Sequence, residues 1–400
     1  MTDATATAAP TREKPTTSSF LPRVALVFTG WTTLHLAVVA ALLHGLAPGG
    51  WWPFVAIYAY LLLAIVLLIR SFRPDAYPTK ATRLFVMRPF WYAQIVLLPA
   101  SLAGAFGFVL GLPFHAPLAA GRTGALLAGA AALLLIVVGY VGSKALVVRR
   151  LTFTFADLPE AFDGVRIAQL SDLHVGPHTS ARFLRRIVRA VEREKPDLVA
   201  HTGDQVDDYD VDVARFAAFF GPLRAPLGVY AIAGNHDVYA GWPGVRDGMQ
   251  AAGMRVLVNE ATPIERQGAR LWIAGTGDPA GLRTFGDAQP EVAPDIPKTL
   301  ADVPPGAFVL ALAHNPALWP ALQARGVHLT LSGHTHHGQL SVPWLKWSLA
   351  SPFLELAMGS YQRDASSLYI HPGTNYWAVP LRVGAWPEVA IVTLRRATQA

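Results

Sequence analysis

Cysteine is absent from this 400-residue chain. That removes disulfides, thiolate metal sites and cysteine nucleophiles together. Acidic residues are nearly absent from the first 150 positions, where Asp3, Glu13 and Asp75 face 12 Lys+Arg. Residues 151–400 carry 21 Lys+Arg against 24 Asp+Glu, so the overall charge of +6 and the pI near 9.6 belong to the first part. The second part has no basic excess to offer a polyanion, and no nucleic-acid partner is expected.

Charge is also missing from four apolar runs, at about 24–47, 51–69, 89–114 and 123–143. At about 1.5 Å per helical residue, each can cross a hydrocarbon core of roughly 30 Å. Residues 23–150 are therefore read as an all-α transmembrane region of four helices, making the chain an integral, multi-pass cell membrane protein. Residues 1–22, rich in Ala, Thr, Pro and Ser, read as a disordered tail. Further spans follow the first run, which argues against a cleaved signal peptide. Basic residues sort to one side. Arg12, Lys14 and Arg23 precede the first run, five more lie between the second and third, and Lys144, Arg149 and Arg150 follow the fourth. Only Arg122 lies opposite. The positive-inside bias puts everything after Arg150 in the cytoplasm. His35, alone near the middle of the first run, is read as a hydrogen-bonded packing residue.

From Leu151 the pattern changes to short apolar runs alternating with amphipathic segments, the mark of an α/β domain over 151–400. In "RFLRRIVRAVERE", Phe183, Leu184, Ile187, Val188 and Val191 share one helical face. Five runs end in polar residues: "VRIAQL" in Asp172 and His174, "DLVAHTG" in Asp204 and Asp207, and "GVYAIAG" in Asn235, His236 and Asp237. "FVLALA" ends in His314, and "VHLTLSG" in His334, Thr335 and His336. The carboxyl ends of strands are where open α/β sheets bind ligands. Gly203, Gly234 and Gly333 stand just before polar residues, as expected where the backbone turns sharply. Oxygen and imidazole donors without sulfur suit Mn, Fe or Zn. Asp172, His174, Asp204, Asn235, His314, His334 and His336 make seven donors, enough for two ions that share one carboxylate. Two ions about 3.5–4 Å apart suit phosphoryl transfer. Each motif alone is weak; five in order, each after a strand, are not.

The blocks "DLH", "GDQVD", "GNHD", "HNP" and "GHTH" resemble those of the calcineurin-like metallophosphoesterase superfamily, in particular its membrane-associated branch with N-terminal transmembrane helices. The resemblance covers about residues 160–395. It implies a four-layer αββα sandwich with a dinuclear site at one edge. It also implies that Asp172, His174, Asp204 and His336 hold one ion, while Asp204, Asn235, His314 and His334 hold the other. His236 would be the general acid, with Asp237 orienting its ring, and the nucleophile would be a metal-bridging hydroxide. Asp207 would stand behind the ligands. His337 departs from the family's glycine and would need positive φ; it would reach the substrate mouth or stand as an exposed bystander. "HPGTNYWAVPLRVG" keeps the family's Gly-Thr and Pro-x-Arg flavour, with His371, Tyr376 and Trp377 peculiar to this chain. His178, His201 and His328 are read as structural.

The function expected is a metal-dependent phosphoric ester hydrolase acting on phosphomono- or phosphodiesters, with a lipid-linked substrate suggested by the bilayer. The alternative is a catalytically silent scaffold or sensor, which would be expected to lack ligands or the acid. A transporter with an attached phosphatase has no charged residue in the spans to support it. In "PWLKWSLASPFLELAMG", Trp344, Trp347 and Phe353 are read first as core, and second as an apolar groove or membrane contact. The topology has a direct check. A reporter that fluoresces only in the cytoplasm is expected to be bright when fused after Ala400, and an export-dependent reporter to stay inactive there.

Overall fold

The computed structural model describes residues 20–71, 78–207, 209–282 and 288–397. The tail expected over 1–22 lies, through residue 19, outside the described residues. Four long helices, Phe20–Leu43, Trp52–Ser71, Arg88–Gly111 and Pro117–Gly142, are each long and apolar enough to cross a membrane. The third is continuous with the helical turns before it, so one 35-residue stretch runs Lys80–Phe114. At about 1.5 Å per residue it reaches roughly 50 Å, well beyond a hydrocarbon core. Its first turns, bearing Lys80, Arg83 and Arg88, therefore have length to project toward the rest of the chain.

The third and fourth helices pack backbone to backbone. A β-carbon on Gly107 would lie 2.6 Å from the Ala120 carbonyl, and one on Gly124 would lie 2.4 Å from that of Ala103. Small residues permit such approach where lipid leaves no hydrophobic drive between helices. His35 is buried, with Nδ1 2.6 Å from Ser101 Oγ and its ring edge-on to Trp31. It is thus a packing residue tied across two helices.

Two six-stranded mixed sheets follow. The first runs in the order Val147–Phe155, Glu388–Arg396, Arg166–Leu170, Leu198–His201, Val229–Ala231, Arg255–Val256. Its last four strands are mutually parallel. The second runs Gly359–Arg363, Ser366–Ile370, Leu329–Ser332, Val309–Leu312, Ala269–Gly275, Glu260–Arg266, with a parallel centre and antiparallel edges. Alternating strand residues divide between faces. Ile167, Leu198, Ala200, Ile232, Ile273, Leu310, Leu331 and Val392 form the core between the sheets. Ala168, Leu170, Val199 and Ala231 face the helices Ala181–Glu194, Val213–Phe220 and Asn235–Ala251 through Leu184, Ile187, Phe216 and Val245. On the far side, Ala274, Val309 and Ala311 pack on Ile296 and Leu322. The layering is αββα, with four apolar helices before it.

The segment read first as core is not core. Trp344 is 83% exposed and Phe353 82%, because a short hairpin, Ser341–Val342 with Trp347–Ser348, lifts them off the sandwich. Arg149 and Arg150 lie within the first strand and are ion-paired with Glu388 and Glu194, at 2.6 and 2.5 Å.

Gly124→Val would place side-chain atoms on the Ala103 carbonyl and is expected to cost about 1–3 kcal/mol as overpacking. The check is the thermal unfolding midpoint of the detergent-solubilised chain. Gly129→Val, where a β-carbon meets nothing nearer than 3.8 Å, should change it little.

Candidate metal centre

The site lies at the carboxyl ends of five parallel central strands, three from the first sheet and two from the second. Arg166–Leu170 delivers Asp172 and His174, Leu198–His201 delivers Asp204, and Val229–Ala231 delivers Asn235 and His236. Val309–Leu312 delivers His314, and Leu329–Ser332 delivers His334 and His336. The local backbone is unusual. Asp172, His174, Asp204, His334 and His336 all have positive φ, between 41° and 71°. Non-glycine residues rarely enter that region, and they cluster there at functional sites.

Of the three glycines expected to turn the chain, only Gly203 has positive φ, at 97°. The other two serve close approach. A β-carbon on Gly234 would lie 2.2 Å from Asp204 Oδ1, and one on Gly333 would lie 2.3 Å from Asp172 Oδ2.

All seven expected donors converge. His336 Nε2 lies 3.2 Å from Asp172 Oδ1 and 3.0 Å from His174 Nε2. Asn235 Oδ1 lies 2.8 Å from His334 Nδ1 and 3.2 Å from His314 Nε2. Asp204 lies between the two groups, its Oδ2 3.3 Å from His314 Nε2 and 3.7 Å from His174 Nε2. Asp172, His174, Asp204 and His314 are buried. Burial opposes ionisation of Asp172, but His336, His314 and His174 around it hold its carboxyl well below the usual range. Burial likewise opposes ionisation of Asp204, and His314, His236 and His174 lower it. Burial pushes His334 and His336 down to about 4, toward the neutral imidazole a ligand must be. His314 goes the other way despite its burial, raised by Asp204 beside it. Oxygen and nitrogen donors gathered this densely, with two buried carboxylates among them, fit divalent cations, because buried carboxylates need positive charge nearby.

The structure corrects two expectations. Asp237 does not orient the His236 ring. Its Oδ2 accepts from the N–H groups of Asp204 and Gly234, at 2.8 and 2.9 Å, and its Oδ1 from those of Gln205 and Val206, at 2.9 and 3.2 Å. The helix that starts at Asn235 turns Asp237 back toward these amides. His236 Nδ1 is instead 2.6 Å from the Asp207 carbonyl oxygen. His337 is neither at the mouth nor exposed. It does take positive φ, 49°, but is buried with Nε2 3.0 Å from the Ile370 carbonyl and 3.2 Å from the Gly359 N–H.

Asp207 stands behind the ligands, as the resemblance implies, and brings further groups to the site that sequence did not assign to it. Asp207 Oδ1 is 3.6 Å from His174 Nδ1, and its Oδ2 is 2.5 Å from Arg83 and 4.0 Å from His178 Nδ1. His178, read as structural, thus borders the centre. Arg382 is fully buried; it donates to the carbonyls of Pro372, Ala385 and Asn375 and lies 2.8 Å from His336 Nδ1. Its place in the Pro-x-Arg triplet was the one signal available. Trp377 packs 5.7 Å from the His236 ring. His201 and His328 are packing residues, against Phe216 and Phe308.

The sequence profile for the calcineurin-like phosphoesterase family matches residues 165–338. A transmembrane protein with metallophosphoesterase domain from Danio rerio is 33% identical over 247 residues, which cover 60% of this chain and 55% of that protein. An uncharacterized metallophosphoesterase of Aquifex aeolicus is 32% identical over 253 residues, 62% of this chain and 91% of its own. One from Bacillus subtilis is 30% identical over 244 residues, 60% and 82%. The chain thus spans about half the length of the Danio rerio relative and most of the bacterial ones.

Replacing Asp237 by Asn should test its structural role. An amide N–H would then face backbone N–H donors in a dry interior, and an unsatisfied buried group costs about 1–3 kcal/mol. A lowered unfolding midpoint, unrelieved by pH, is expected.

Proposed function

This chain belongs to the calcineurin-like phosphoesterase family, and from that premise we propose that it is a membrane-anchored, two-metal hydrolase of phosphomono- or phosphodiesters. The observation that carries the reading is the position of Asp204, whose one carboxylate faces His174 on one side and His314 on the other. In this reading Asp172, His174, Asp204 and His336 hold one divalent ion, and Asp204, Asn235, His314 and His334 the second. Bound there, the ions would supply Lewis-acid polarisation of the phosphoryl oxygens and a template for in-line displacement.

The chain's own groups do the rest. A carbonyl only accepts, so the Asp207 oxygen requires a proton on His236 Nδ1. Proton gain and loss then fall to Nε2, on a ring that is only half-buried. As imidazolium, His236 would give the Nε2 proton to the leaving alkoxide, while the carbonyl holds the ring in place. Asp237 acts one layer behind, by holding the backbone of Asp204. A lipid-linked phosphoester is the substrate class that suits a site attached to four membrane helices, and the basic-loop bias favours the cytoplasmic face.

The purified full chain in detergent is expected to hydrolyse a chromogenic phosphodiester after Mn²⁺ is added to metal-stripped protein. No rise in rate would refute the two-metal reading. His236→Ala should lower kcat by about 10²–10⁴-fold with bound metal, measured by elemental analysis, unchanged.

A further inference from the structure

We propose that the aromatic hairpin of residues 341–354 seats in the interface of the same bilayer that holds the four helices, so that the catalytic rim opens onto the lipid surface. The proposal rests on the phosphoesterase reading only for what the site then does there.

The hairpin is an ordered element with an apolar tip. Ser341 and Val342 pair with Ser348 and Trp347, a tight turn at Pro343–Leu345 joins them, and Lys346 closes it at φ 50°. The next turn is held by the Ser348 N–H on Ser351 Oγ, at 2.9 Å, and the Phe353 N–H on the Ala350 carbonyl. These bonds present Trp344, Leu345, Trp347, Leu349, Phe353 and Leu354 outward, with Leu345 68% exposed beside the still barer Trp344 and Phe353. Contiguous apolar surface of this kind marks an interaction site rather than ordinary variation.

Continuity with the helices selects the occupant. Leu381 and Arg382 lie against Gly139, in the last turn of the fourth helix, and the Arg382 N–H donates to its carbonyl at 2.9 Å. The next residue, Val383, exchanges backbone hydrogen bonds with Gln339 and Ser341 at the root of the hairpin. One strand spacing, about 4.8 Å, thus separates the hairpin root from chain that touches a membrane helix end. Tryptophan favours the bilayer interface, and a lysine beside it suits the headgroup layer; Trp344, Trp347 and Lys346 supply both within four residues.

The same surface leads to the reaction site. Gln339 holds both backbone groups of Trp377, accepting from its N–H and donating to its carbonyl, each at 3.0 Å. Trp377, itself part exposed, packs on His236. The hairpin root is therefore tied, through Gln339 and Trp377, to the group that would meet the leaving alkoxide. A hairpin seated in the interface would thus hold His236 beside a lipid phosphoester presented at the bilayer surface.

The absence of cysteine makes the test specific. Full-length chain carrying Trp344→Cys is nitroxide-labelled and reconstituted in nanodiscs of equal phosphatidylcholine and phosphatidylglycerol; Glu265→Cys, on an exposed edge strand, is the aqueous reference. The label at position 344 is expected to be relaxed more by oxygen than by a water-soluble nickel chelate. A label there as open to the chelate as that at 265 overturns the seating, whether the hairpin then meets water, a protein or a second copy. In a second measurement, Trp344→Ser with Phe353→Ser should slow hydrolysis of a bilayer-embedded phospholipid about tenfold or more, with turnover of a soluble chromogenic diester unchanged. Equal losses on both, or none, overturn the coupling of the hairpin to the site. If wild type cleaves neither ester with Mn²⁺ present, the phosphoesterase reading fails, and the label depth alone decides the seating.

Discussion

One buried carboxylate organises the centre. Asp237 takes four backbone N–H groups from two different strand-end loops, 204–206 and the turn at Gly234. Burial and the nearby Asp204 push its pKa up to about 7, while the amide donors from Gly234 and Val206 pull it down. Four donors with no acceptor among them require an acceptor at both oxygens, so the amides favour the carboxylate. The consequence is geometric. The loop carrying Asp204 cannot move relative to the helix carrying Asn235 and His236 without exposing dry N–H groups, each costing roughly 1–3 kcal/mol. The position of Asp204 between His174 and His314 is thus set by backbone hydrogen bonds to Asp237.

A second set of contacts ties that centre to the helices. The Asn375 N–H donates to the Asp172 carbonyl, and its side-chain amide donates to that of Leu173. The next residue, Tyr376, receives Arg88 on its hydroxyl at 2.7 Å and Lys144 over its ring. Tyr92 bonds the Pro380 carbonyl at 3.2 Å, and Arg83 pairs with Asp207. Residues 375–382 therefore form a clasp, with metal-site backbone at one end and helix ends at the other. Arg83, largely buried with its partner, is screened far less than a surface pair would be.

The α/β class and the seven donors were legible in local patterns, strand–helix alternation and polar residues just past strand ends, whereas the αββα layering came only with the family resemblance those motifs carry. What escaped rests on long-range placement. Asp237 stands next to His236 in sequence, yet the first helical turn directs the two side chains to different partners. His337 was conspicuous among three neighbouring histidines, but its ring is absorbed by backbone groups at Ile370 and Gly359, which only the second sheet brings near. Trp344 and Phe353 looked like core by composition; a two-residue strand pairing turns them outward. Arg83 belonged, by sequence, to a basic loop read only for topology, and no pattern linked it to Asp207, 124 residues away.

Positive φ at four of the seven donors, Asp172, His174, His334 and His336, has a common cause. In an extended strand successive side chains alternate, so Asp172 and His174, or His334 and His336, would share a face but stand too far along the chain to meet at one centre. Left-handed residues break the extension at these two strand ends, which lets one short loop present two donors. The conformation costs roughly 1–2 kcal/mol per residue, several kcal/mol in all, and nothing in the apolar core requires it. The loops hold it through bonds across the edge, such as the Asp172 N–H to the Gly203 carbonyl and the His174 N–H to that of Asp204, both 3.0 Å. A sheet edge that bears this strain, and glycines where a β-carbon would collide with a carboxylate, is shaped by what the donors must hold rather than by what folding alone would choose.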